Sequence, residues 1–237
     1  MQPIVQISLD MVNLDDALAT ADIAIRAGVD WLEAGTPLIL SEGTRAIREL
    51  HAHHPAAPIV ADIKAMDGGG LETQVMAKAG ASFVVVMGQA HAETVEAAVK
   101  AGRDFGINVM GDNMAMPDAV AGAARLEELG CNYIVHHVGH DMRTSRRERG
   151  LAVPTPLDQL REVVQAVSVP VQAAGGLTIE QAVQIPEYGA PLVVIGAPLV
   201  VRGQALRSPA RLEETLHTIC DRVHAYGDVE IGKEAIG

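Results

Sequence analysis

Aromatic residues are scarce in this chain, and basic residues are outnumbered by acidic ones. Phe, Trp and Tyr make up 3% of the 237 residues, so Val, Ile, Leu, Ala and Met must fill the core. The formal net charge is -12 at pH 7. Nucleic acids and anionic membrane surfaces are bound through basic faces, so this balance argues against both as partners. A small anionic substrate remains compatible, because a local pocket can oppose the field of the whole chain.

Cysteines are few, and long apolar runs are missing. The two cysteines, Cys131 and Cys220, are far apart and lack metal-ligand spacing, which predicts two reduced thiols in the core. The N-terminus has no basic region followed by a long apolar run, so we expect no signal peptide. No apolar stretch approaches the length of about 18 residues that a membrane span needs. We therefore expect a soluble protein of the cytoplasm.

One short stretch, residues 59–70, combines β-forming residues, three charged groups and three glycines. Its sequence is IVADIKAMDGGG. The apolar start is typical of a buried parallel strand, so Asp62 should emerge near the carboxyl end of that strand. Side chains alternate along a strand, which predicts that Asp62 and Lys64 share one side. A carboxylate and an ammonium group paired at a strand end indicate a site.

Eight strand–helix pairs are predicted along the chain. The strands are expected at residues 4–10, 29–34, from 59, 82–87, 107–111, 132–136, 170–174 and 192–195. The helices are expected at residues 13–27, from a cap at Ser41, 71–80, 92–105, 117–130, 156–166, 178–188 and 209–225. Such even alternation predicts an α/β protein, a (β/α)8 TIM barrel. Since no linker divides it, we expect a single domain over residues 1–226 and a C-terminal tail over residues 227–237.

Ionisable residues and glycines recur at the predicted carboxyl ends of the strands, where the active sites of TIM barrels lie. The candidates at this rim are Asp10, Glu33, Asp62, Lys64, Asp112, His136, His137, Gly175, Gly176, Gly196 and Ala197. The glycines after the seventh and eighth strands would let a phosphate group approach backbone N–H groups closely. Two ordinary turns are the alternative, and the shared placement of the glycines favours phosphate.

Glu33 and Asp62 are candidate ligands of a hard divalent cation. Two carboxylates, with substrate oxygens and water, suit Mg²⁺, which would stabilise an enediolate as a Lewis acid. A carboxylate–lysine network without a metal, in which Lys64 neutralises its neighbours, fits the residue types equally well.

These residues resemble the orotidine-monophosphate-decarboxylase-like suprafamily, and within it the group of 3-hexulose-6-phosphate synthase and 3-keto-L-gulonate-6-phosphate decarboxylase. The most specific mark is Asp-x-Lys-x-x-Asp at residues 62–67, and WLEAGTPLI around Glu33 and AAGGL at residues 173–177 also match. The resemblance covers nearly the whole chain and implies a barrel that forms a homodimer. It further implies that Asp67 reaches the partner subunit's site and that Glu33 and Asp62 hold Mg²⁺. The implied substrate is a phosphorylated ketose that passes through a cis-enediolate.

The segment after the sixth strand distinguishes the two groups of enzymes. HVGHD at residues 137–141 resembles the His-x-Gly-x-Asp of the synthases. The decarboxylases carry an arginine three places after the histidine, where this chain has His140. The resemblance assigns proton transfer to His137, and an imidazole is suited to this near neutral pH. Alternation points His136 the other way, which predicts a structural role for it.

Two features depart from the pattern of the suprafamily. The segment 143–153 is longer and more basic than expected, with Arg143, Arg146, Arg147 and Arg149 close together. It is either a lid that helps to hold the phosphate or a solvated run of charge. The tail after Tyr226 is either disordered or docked on a neighbouring molecule.

The resemblance implies a Mg²⁺-dependent aldolase that joins formaldehyde to D-ribulose 5-phosphate, or cleaves the hexulose phosphate in reverse. In that reaction Lys64 would add positive charge beside the enediolate, and His137 would carry the proton. Asp62 and Asp67 would position Lys64 and contact substrate hydroxyls. The alternatives are 3-keto-L-gulonate-6-phosphate decarboxylase and a non-catalytic barrel that binds sugar phosphates. The presence of all these residues together with Glu33 argues against mere binding.

Overall fold

Eight parallel strands close into a single-domain barrel in the order of the chain, as the alternation of strands and helices predicted. The structure, a computed structural model, describes residues 1–201, 204–205 and 208–232. The barrel strands are β1 (Ile4–Leu9), β2 (Trp31–Ala34), β3 (Ile59–Ala65), β4 (Phe83–Met87), β5 (Asn108–Asp112), β6 (Tyr133–His137), β7 (Val171–Ala174) and β8 (Leu192–Ala197). Pairing of β1 with β8 closes the barrel.

Helices connect the strands and cover the outside of the barrel. They are α1 (Leu14–Arg26), α2 (Thr36–Glu42), α3 (Thr44–His53), α4 (Gly69–Ala79), α5 (Ala92–Phe105), α6 (Ala119–Glu128), α7 (His140–Glu148), α8 (Leu160–Ala166), α9 (Ile179–Ala182) and α10 (Pro209–His224). A 3-10 helix (Ile185–Tyr188) follows α9, and a short antiparallel pair, β9 (Val200–Val201) and β10 (Gln204–Ala205), follows β8. Within the ranges described, none of these helices is long and apolar enough to cross a membrane.

Three of the few aromatic side chains fill the amino-terminal end of the barrel. Trp31 and Phe83 stack with ring centroids 4.2 Å apart, and Tyr133 meets these rings edge-on at 5.8 and 5.3 Å. Each of the three is the first residue of an even-numbered strand, and such layers from alternate strands are typical of TIM barrels. This end is therefore packed, and a substrate has to enter at the carboxyl ends of the strands.

Alternation along β3 explains why Asp62 faces the barrel mouth. Ile59 and Ala61 belong to the apolar layer beneath the helices, whereas Val60 lies in the interior cluster. Asp62 is two residues beyond Val60 and therefore shares its inward direction. The strand continues to Ala65, further than the apolar run alone indicated, because its pairing with β4 shifts register between Ala61 and Ala65.

The predicted helix capped by Ser41 is wrong, because two helices occupy this part of the chain. α2 begins directly after Gly35, with a proline in its first turn, and Ser41 lies inside it, where its hydroxyl donates to the Leu38 carbonyl oxygen (3.1 Å). Gly43 has φ of 61° and ends α2, and α3 begins at the next residue. A conformation with positive φ is open to glycine at little cost, so the break at this position is physically reasonable.

Several other predicted boundaries needed correction. α4 begins at Gly69 instead of residue 71, since only a glycine fits there against Thr94 of α5. β6 includes His137, and the polar segment after it forms α7. Residues 156–159 form a turn before α8, because Gln159 has φ of 58°. The helix predicted to run from Thr178 to residue 188 is split, since a proline in its second half lacks the N–H that would continue it.

Both cysteines are buried and unpaired, as predicted. Of the predicted tail, residues 227–232 are described, and Val229 exchanges two backbone hydrogen bonds of 2.8 Å with Met1. This pairing ties the start of the tail to the amino-terminal end of the barrel. The domain boundary at residue 226 and the cytoplasmic location stay predictions, and residues 233–237 lie outside the described part of the chain.

Candidate active site

Three carboxylates lie near one another at the mouth of the barrel: Asp10 follows β1, Glu33 lies near the end of β2, and Asp62 lies within β3. Glu33 is buried and receives a hydrogen bond from Nε2 of Gln6 on Oε2. Its Oε1 lies 2.7 Å from Oγ of Ser8, and the same hydroxyl lies 3.1 Å from Oδ1 of Asp10. The Ser8 hydroxyl group therefore lies between the two carboxyl groups. Burial, followed by the charges of Asp62 and Asp10, raises the pKa of Glu33 to about 8.

Lys64 is held against Asp62, as alternation along the strand predicted. Its Nζ donates to Oδ2 of Asp62 and lies 3.3 Å from Oγ1 of Thr36. Thr36 also donates to the backbone oxygen of Asp62 at 2.8 Å. Burial by itself opposes the charge of Lys64, but Asp62 and then Glu33 and Asp112 outweigh it and raise the pKa of the ammonium group. Lys64 is therefore a charged group in the middle of the site.

The backbone of Lys64 adopts a left-handed conformation, with φ of 48°. This conformation costs about 1 kcal/mol for a residue with a Cβ atom, so the surrounding contacts must supply that energy. The residue lies where β3 shifts its register against β4. Local irregularities of this kind re-aim side chains beside active sites, and here the ammonium group is directed back to Asp62.

The carboxylate cluster fits a hard divalent cation. Oδ1 of Asp62 is buried and has no hydrogen-bond partner, and Glu33 beside it is disfavoured as an anion. A cation between Glu33 and Asp62 would give Oδ1 of Asp62 a partner and would favour the ionised form of Glu33. Mg²⁺ suits this place because it prefers carboxylate oxygens as ligands. Within the described residues no three His, Cys, Asp or Glu side chains are grouped to hold a metal, so substrate oxygens and water would complete the coordination.

His137 and Asp112 form a hydrogen-bonded pair on the other side of the mouth. Nδ1 of His137 lies 2.7 Å from Oδ2 of the buried Asp112, whose Oδ1 accepts from the backbone N–H of Met114 at 2.8 Å. Because a carboxylate only accepts, Nδ1 carries a proton, and in the neutral ring Nε2 then has the free lone pair. The pair therefore presents a proton acceptor. We predicted that Asp112 binds substrate, and its contact with His137 gives it an orienting role.

His136 points away from this pair and is engaged by backbone and amide groups. Its Nε2 lies 2.8 Å from the carbonyl oxygen of Asp158, and its Nδ1 lies 3.2 Å from Nδ2 of Asn113. Burial lowers the pKa of His136, which keeps the ring neutral. Asn113 also accepts from the backbone N–H of His137 at 3.2 Å. These contacts support the structural role that was predicted for His136.

The predicted phosphate glycines differ in their surroundings. Gly175 and Gly176 follow β7 with φ of 118° and 67°, and a Cβ on either would collide with the segment after β6. Gly196 is exposed in β8, and the nearest side-chain atom to a Cβ placed there is Oδ2 of Asp10, at 3.6 Å. The side chain of Ala197 packs into the apolar layer beneath the helices, so it offers only its backbone to a ligand.

Asp67 is exposed and stands apart from the other predicted residues. Its Oδ1 accepts from the backbone N–H of Gly68 at 2.8 Å, which forms a local turn before α4. In the described protomer no ion pair or hydrogen bond joins Asp67 to Lys64. The structure thus brings together Asp10, Glu33, Asp62 and Lys64 at one place, and leaves Asp67 free for another contact.

Sequence reasoning missed several polar residues that support the site. Besides Thr36 and Ser8, a buried amide chain crosses the barrel, in which Nε2 of Gln172 donates to Oε1 of Gln6 at 2.9 Å and Gln6 donates to Glu33. A signal was present in β1, where Gln6, Ser8 and the following Asp10 alternate with apolar residues. This pattern marks one polar face along an otherwise buried strand.

Comparison with known proteins places the chain among enzymes of one family. The model of the orotidine 5'-phosphate decarboxylase / HUMPS family matches residues 3–207. A 3-hexulose-6-phosphate synthase of Mycobacterium gastri is 31% identical over 194 residues, which cover 82% of this chain and 90% of the relative.

Solved structures agree with this assignment. The crystal structure of 3-hexulose-6-phosphate synthase from Salmonella typhimurium superposes with a TM-score of 0.80 at 26% identity, over 94% of this chain and 100% of the other. The 3-keto-L-gulonate-6-phosphate decarboxylase of Vibrio cholerae superposes with a TM-score of 0.73 at 25% identity, over 94% and 99%. The chain belongs to the orotidine 5'-phosphate decarboxylase / HUMPS family.

Proposed function

We propose that this protein is a lyase of the 3-hexulose-6-phosphate synthase type, a Mg²⁺-dependent aldolase that condenses formaldehyde with D-ribulose 5-phosphate. The observation that carries the proposal is the meeting of two pairs at one barrel mouth: Lys64 held against Asp62, and His137 held against Asp112. An enediolate needs a nearby positive charge and a proton acceptor, and these pairs supply one of each. The named relatives and structures of 3-hexulose-6-phosphate synthases support the same reaction.

Glu33 and Asp62 would hold the metal, since both are buried and one oxygen of Asp62 lacks a partner. Mg²⁺ bound there would supply a Lewis acid for the carbonyl and hydroxyl oxygens of the ketose. Gln6 and Ser8 fix the Glu33 carboxylate from below, so it is preorganised for that task. Asp10 lies at the same mouth and would contact a hydroxyl group of the substrate.

His137 would carry the proton during the reaction. Its free Nε2 accepts a proton from C1 of the ketose, and the electrons of that C–H bond form the C1–C2 double bond of the enediolate. Lys64 stabilises the negative charge that develops on the oxygens. The electrons of the C1–C2 double bond then form a bond from C1 to the carbon of formaldehyde, and the carbonyl group at C2 forms again. The π electrons of the formaldehyde C=O bond move to its oxygen, and His137 returns its proton to this new alkoxide. Asp112 keeps the ring in the tautomer and orientation that both transfers need.

One pair of assays tests the proposal and its alternatives. With Mg²⁺ and ribulose 5-phosphate, the protein should consume formaldehyde, and with 3-keto-L-gulonate 6-phosphate it should release CO₂ far more slowly. Rapid CO₂ release without formaldehyde consumption would instead identify a decarboxylase, for which the superposition with the Vibrio cholerae enzyme is the argument. Binding of both sugar phosphates without turnover would identify a non-catalytic barrel.

We further propose a homodimer in which Asp67 completes the partner subunit's site. The surface around Asp67 is unusually apolar, since Leu40 and Leu71 expose 82% and 68% of their surface, and Met66 and Val75 are also exposed. Large exposed apolar side chains on elements that pack against one another are typical of an interface. Asp67 itself is free of contacts with its own Lys64, so its carboxylate is available to a second copy.

Glu33→Gln should abolish Mg²⁺ binding without lowering the stability of the metal-free protein. Saturating Mg²⁺ should raise the Tm of the native protein by roughly 5 °C, because ligand binding to the folded state stabilises it. The variant should show almost no such shift, because it lacks one of the two proposed ligands. Without metal its Tm should equal or exceed that of the native protein, since one buried carboxylate is removed from beside Asp62 and Asp10. Thermal unfolding after chelation, with and without MgCl₂, measures this.

Added KCl at equal ionic strength is the control for this experiment. It should move the Tm of neither protein. An equal Mg²⁺ shift in both proteins would contradict the assignment of Glu33 as a metal ligand.

Asp112→Asn should lower kcat by about 100-fold and leave the KM for ribulose 5-phosphate almost unchanged. The amide can donate to Nδ1 of His137, which would favour the tautomer whose Nε2 cannot accept the proton. Steady-state kinetics measure both constants. Asp104→Asn is the matched control, because Asp104 is exposed and pairs with Lys100 at the surface. A loss expressed mainly in KM would indicate that Asp112 binds substrate directly.

A further inference from the structure

We propose that Arg143 of α7 is the cationic side chain that binds the substrate's phosphate group, at the turn formed by Gly175 and Gly176. The inference rests on the proposed function only in that the substrate is phosphorylated. The segment 143–153 was interpreted either as a lid that helps to hold the phosphate or as a solvated run of charge. The inference gives the first role to Arg143 alone and leaves the other arginines of the segment as solvated charges.

The guanidinium group of Arg143 lies directly over the turn. A Cβ placed on Gly176 would collide with it, and Nη2 lies 3.0 Å from that position. Nε of Arg143 donates to the carbonyl oxygen of Val138 at 3.3 Å, and the backbone N–H of Val138 in turn donates to Ala174 of β7 at 3.0 Å. The side chain is therefore fixed between the end of β6 and the end of β7, where the predicted phosphate turn lies.

No carboxylate of the described residues pairs with the charge of Arg143. Other arginines pair with carboxylates, as Arg26 does with Glu213 (2.9 Å) and Arg125 with Glu128 (3.2 Å). Among the described residues, the side chain of Arg143 makes one hydrogen bond, to the Val138 carbonyl oxygen, which occupies one of its five N–H donors. Burial and the nearby charge of Arg147 both lower the pKa of Arg143. A partly buried cation with unused donors is a site for an anion.

Within the described part of the chain, the two glycine turns of the barrel mouth have side-chain neighbours of opposite charge. The turn after β8 has Gly196 beside the carboxylate of Asp10, which would repel a phosphate group. The turn after β7 has Gly176 beneath a guanidinium group. Of the two turns, the β7 turn is therefore the one that has a cationic neighbour among the described residues. The φ of 118° and 67° at Gly175 and Gly176 also turn the backbone without a side chain in the way.

The remaining arginines of the segment face solvent. Arg147 and Arg149 are exposed, and Arg146 donates to the carbonyl oxygen of Ala152 at 2.5 Å. Arg149 thus offers a matched control, because it has the same charge on the same segment without the contact to the glycine turn. A guanidinium group binds phosphate through two parallel hydrogen bonds, which a lysine cannot reproduce.

Titration with inorganic phosphate, followed by calorimetry, tests the inference without any turnover. Arg143→Gln should weaken phosphate binding by about 10- to 100-fold, as expected when hydrogen bonds to a charged group are lost. Arg143→Lys should recover part of the affinity, and Arg149→Gln should bind as the native protein does. In steady-state kinetics, Arg143→Gln should raise the KM for ribulose 5-phosphate by a similar factor and change kcat much less.

Circular dichroism and Tm establish that the variants are folded, and Arg143→Lys keeps the comparison available if the glutamine variant is not. Equal phosphate affinity in Arg143→Gln and Arg149→Gln would overturn the inference, and so would a native protein that does not bind phosphate. If the native protein binds phosphate through Arg143 but consumes no formaldehyde, the inference stands and the proposed aldolase activity fails.

Discussion

Lys64→Ala should lower kcat for formaldehyde consumption by about a thousandfold and leave the fold intact. Preorganised charges aimed at a developing anion contribute about a hundred- to a thousandfold, and Lys64 is the positive side chain held at the centre of this site. Its ammonium group also neutralises Asp62, so the loss leaves Asp62, Glu33 and Asp10 without a positive neighbour. The Tm should therefore fall modestly, and added Mg²⁺ should restore part of it.

Steady-state kinetics and thermal unfolding measure these two effects separately. Lys100→Ala is the matched control, because Lys100 is exposed and pairs with Asp104 within α5. It should retain the native kcat. A Lys64→Ala protein with more than about a tenth of native activity would remove the lysine from the mechanism.

Mixing two inactive variants should regenerate activity if Asp67 serves the partner subunit. Lys64→Ala and Asp67→Ala proteins should each be nearly inactive as homodimers. In a mixed dimer, the site of the Asp67→Ala subunit has its own Lys64 and receives Asp67 from the other subunit, so one of the two sites is complete. Equal mixing after dissociation and reassociation should recover about a quarter of native activity, since half of the dimers are mixed.

The control for this experiment is a mixture of Lys64→Ala with His137→Asn. Both residues belong to the site of their own subunit, so neither site of that mixed dimer is complete and no activity should return. Differently tagged subunits show by co-purification that mixed dimers form. Mixed Lys64→Ala and Asp67→Ala dimers without activity would contradict the shared site, and a protein that is monomeric at assay concentration would contradict the homodimer.

The barrel could be predicted from the sequence because parallel strands buried on both faces are short, apolar and punctuated by glycine. The carboxyl ends of those strands then placed Glu33, Asp62 and His137 at one rim without further information. Alternation also paired Lys64 with Asp62, and this was confirmed by their hydrogen bond. These features depend on local sequence and on the two-residue period of a strand, and both can be read from a single sequence.

Other features depend on contacts between distant parts of the chain. The left-handed backbone of Lys64 follows from the register shift between β3 and β4, which no local pattern specifies. Thr36, at the start of α2, contacts Asp62 of β3, and Asp112 of β5 contacts His137 of the adjacent strand β6. In each case the residue type was visible, but its partner was set by tertiary packing.

The basic segment after β6 is the clearest example of this limit. Its four arginines look alike in sequence, and the structure turns only Arg143 onto the glycine turn after β7. The break at Gly43 in the region of the predicted second helix is a similar case. The sequence is compatible both with a glycine inside one helix and with a glycine between two helices.

Hydrogen exchange at C1 of ribulose 5-phosphate tests most directly whether this site makes an enediolate. In D₂O, with Mg²⁺ and without formaldehyde, the protein should exchange the C1 proton that His137 removes for deuterium, and proton NMR should show that signal disappear. The exchange should be lost in Lys64→Ala and strongly slowed in Asp112→Asn. A native protein that binds ribulose 5-phosphate and leaves its C1 protons unexchanged would contradict the proposed chemistry.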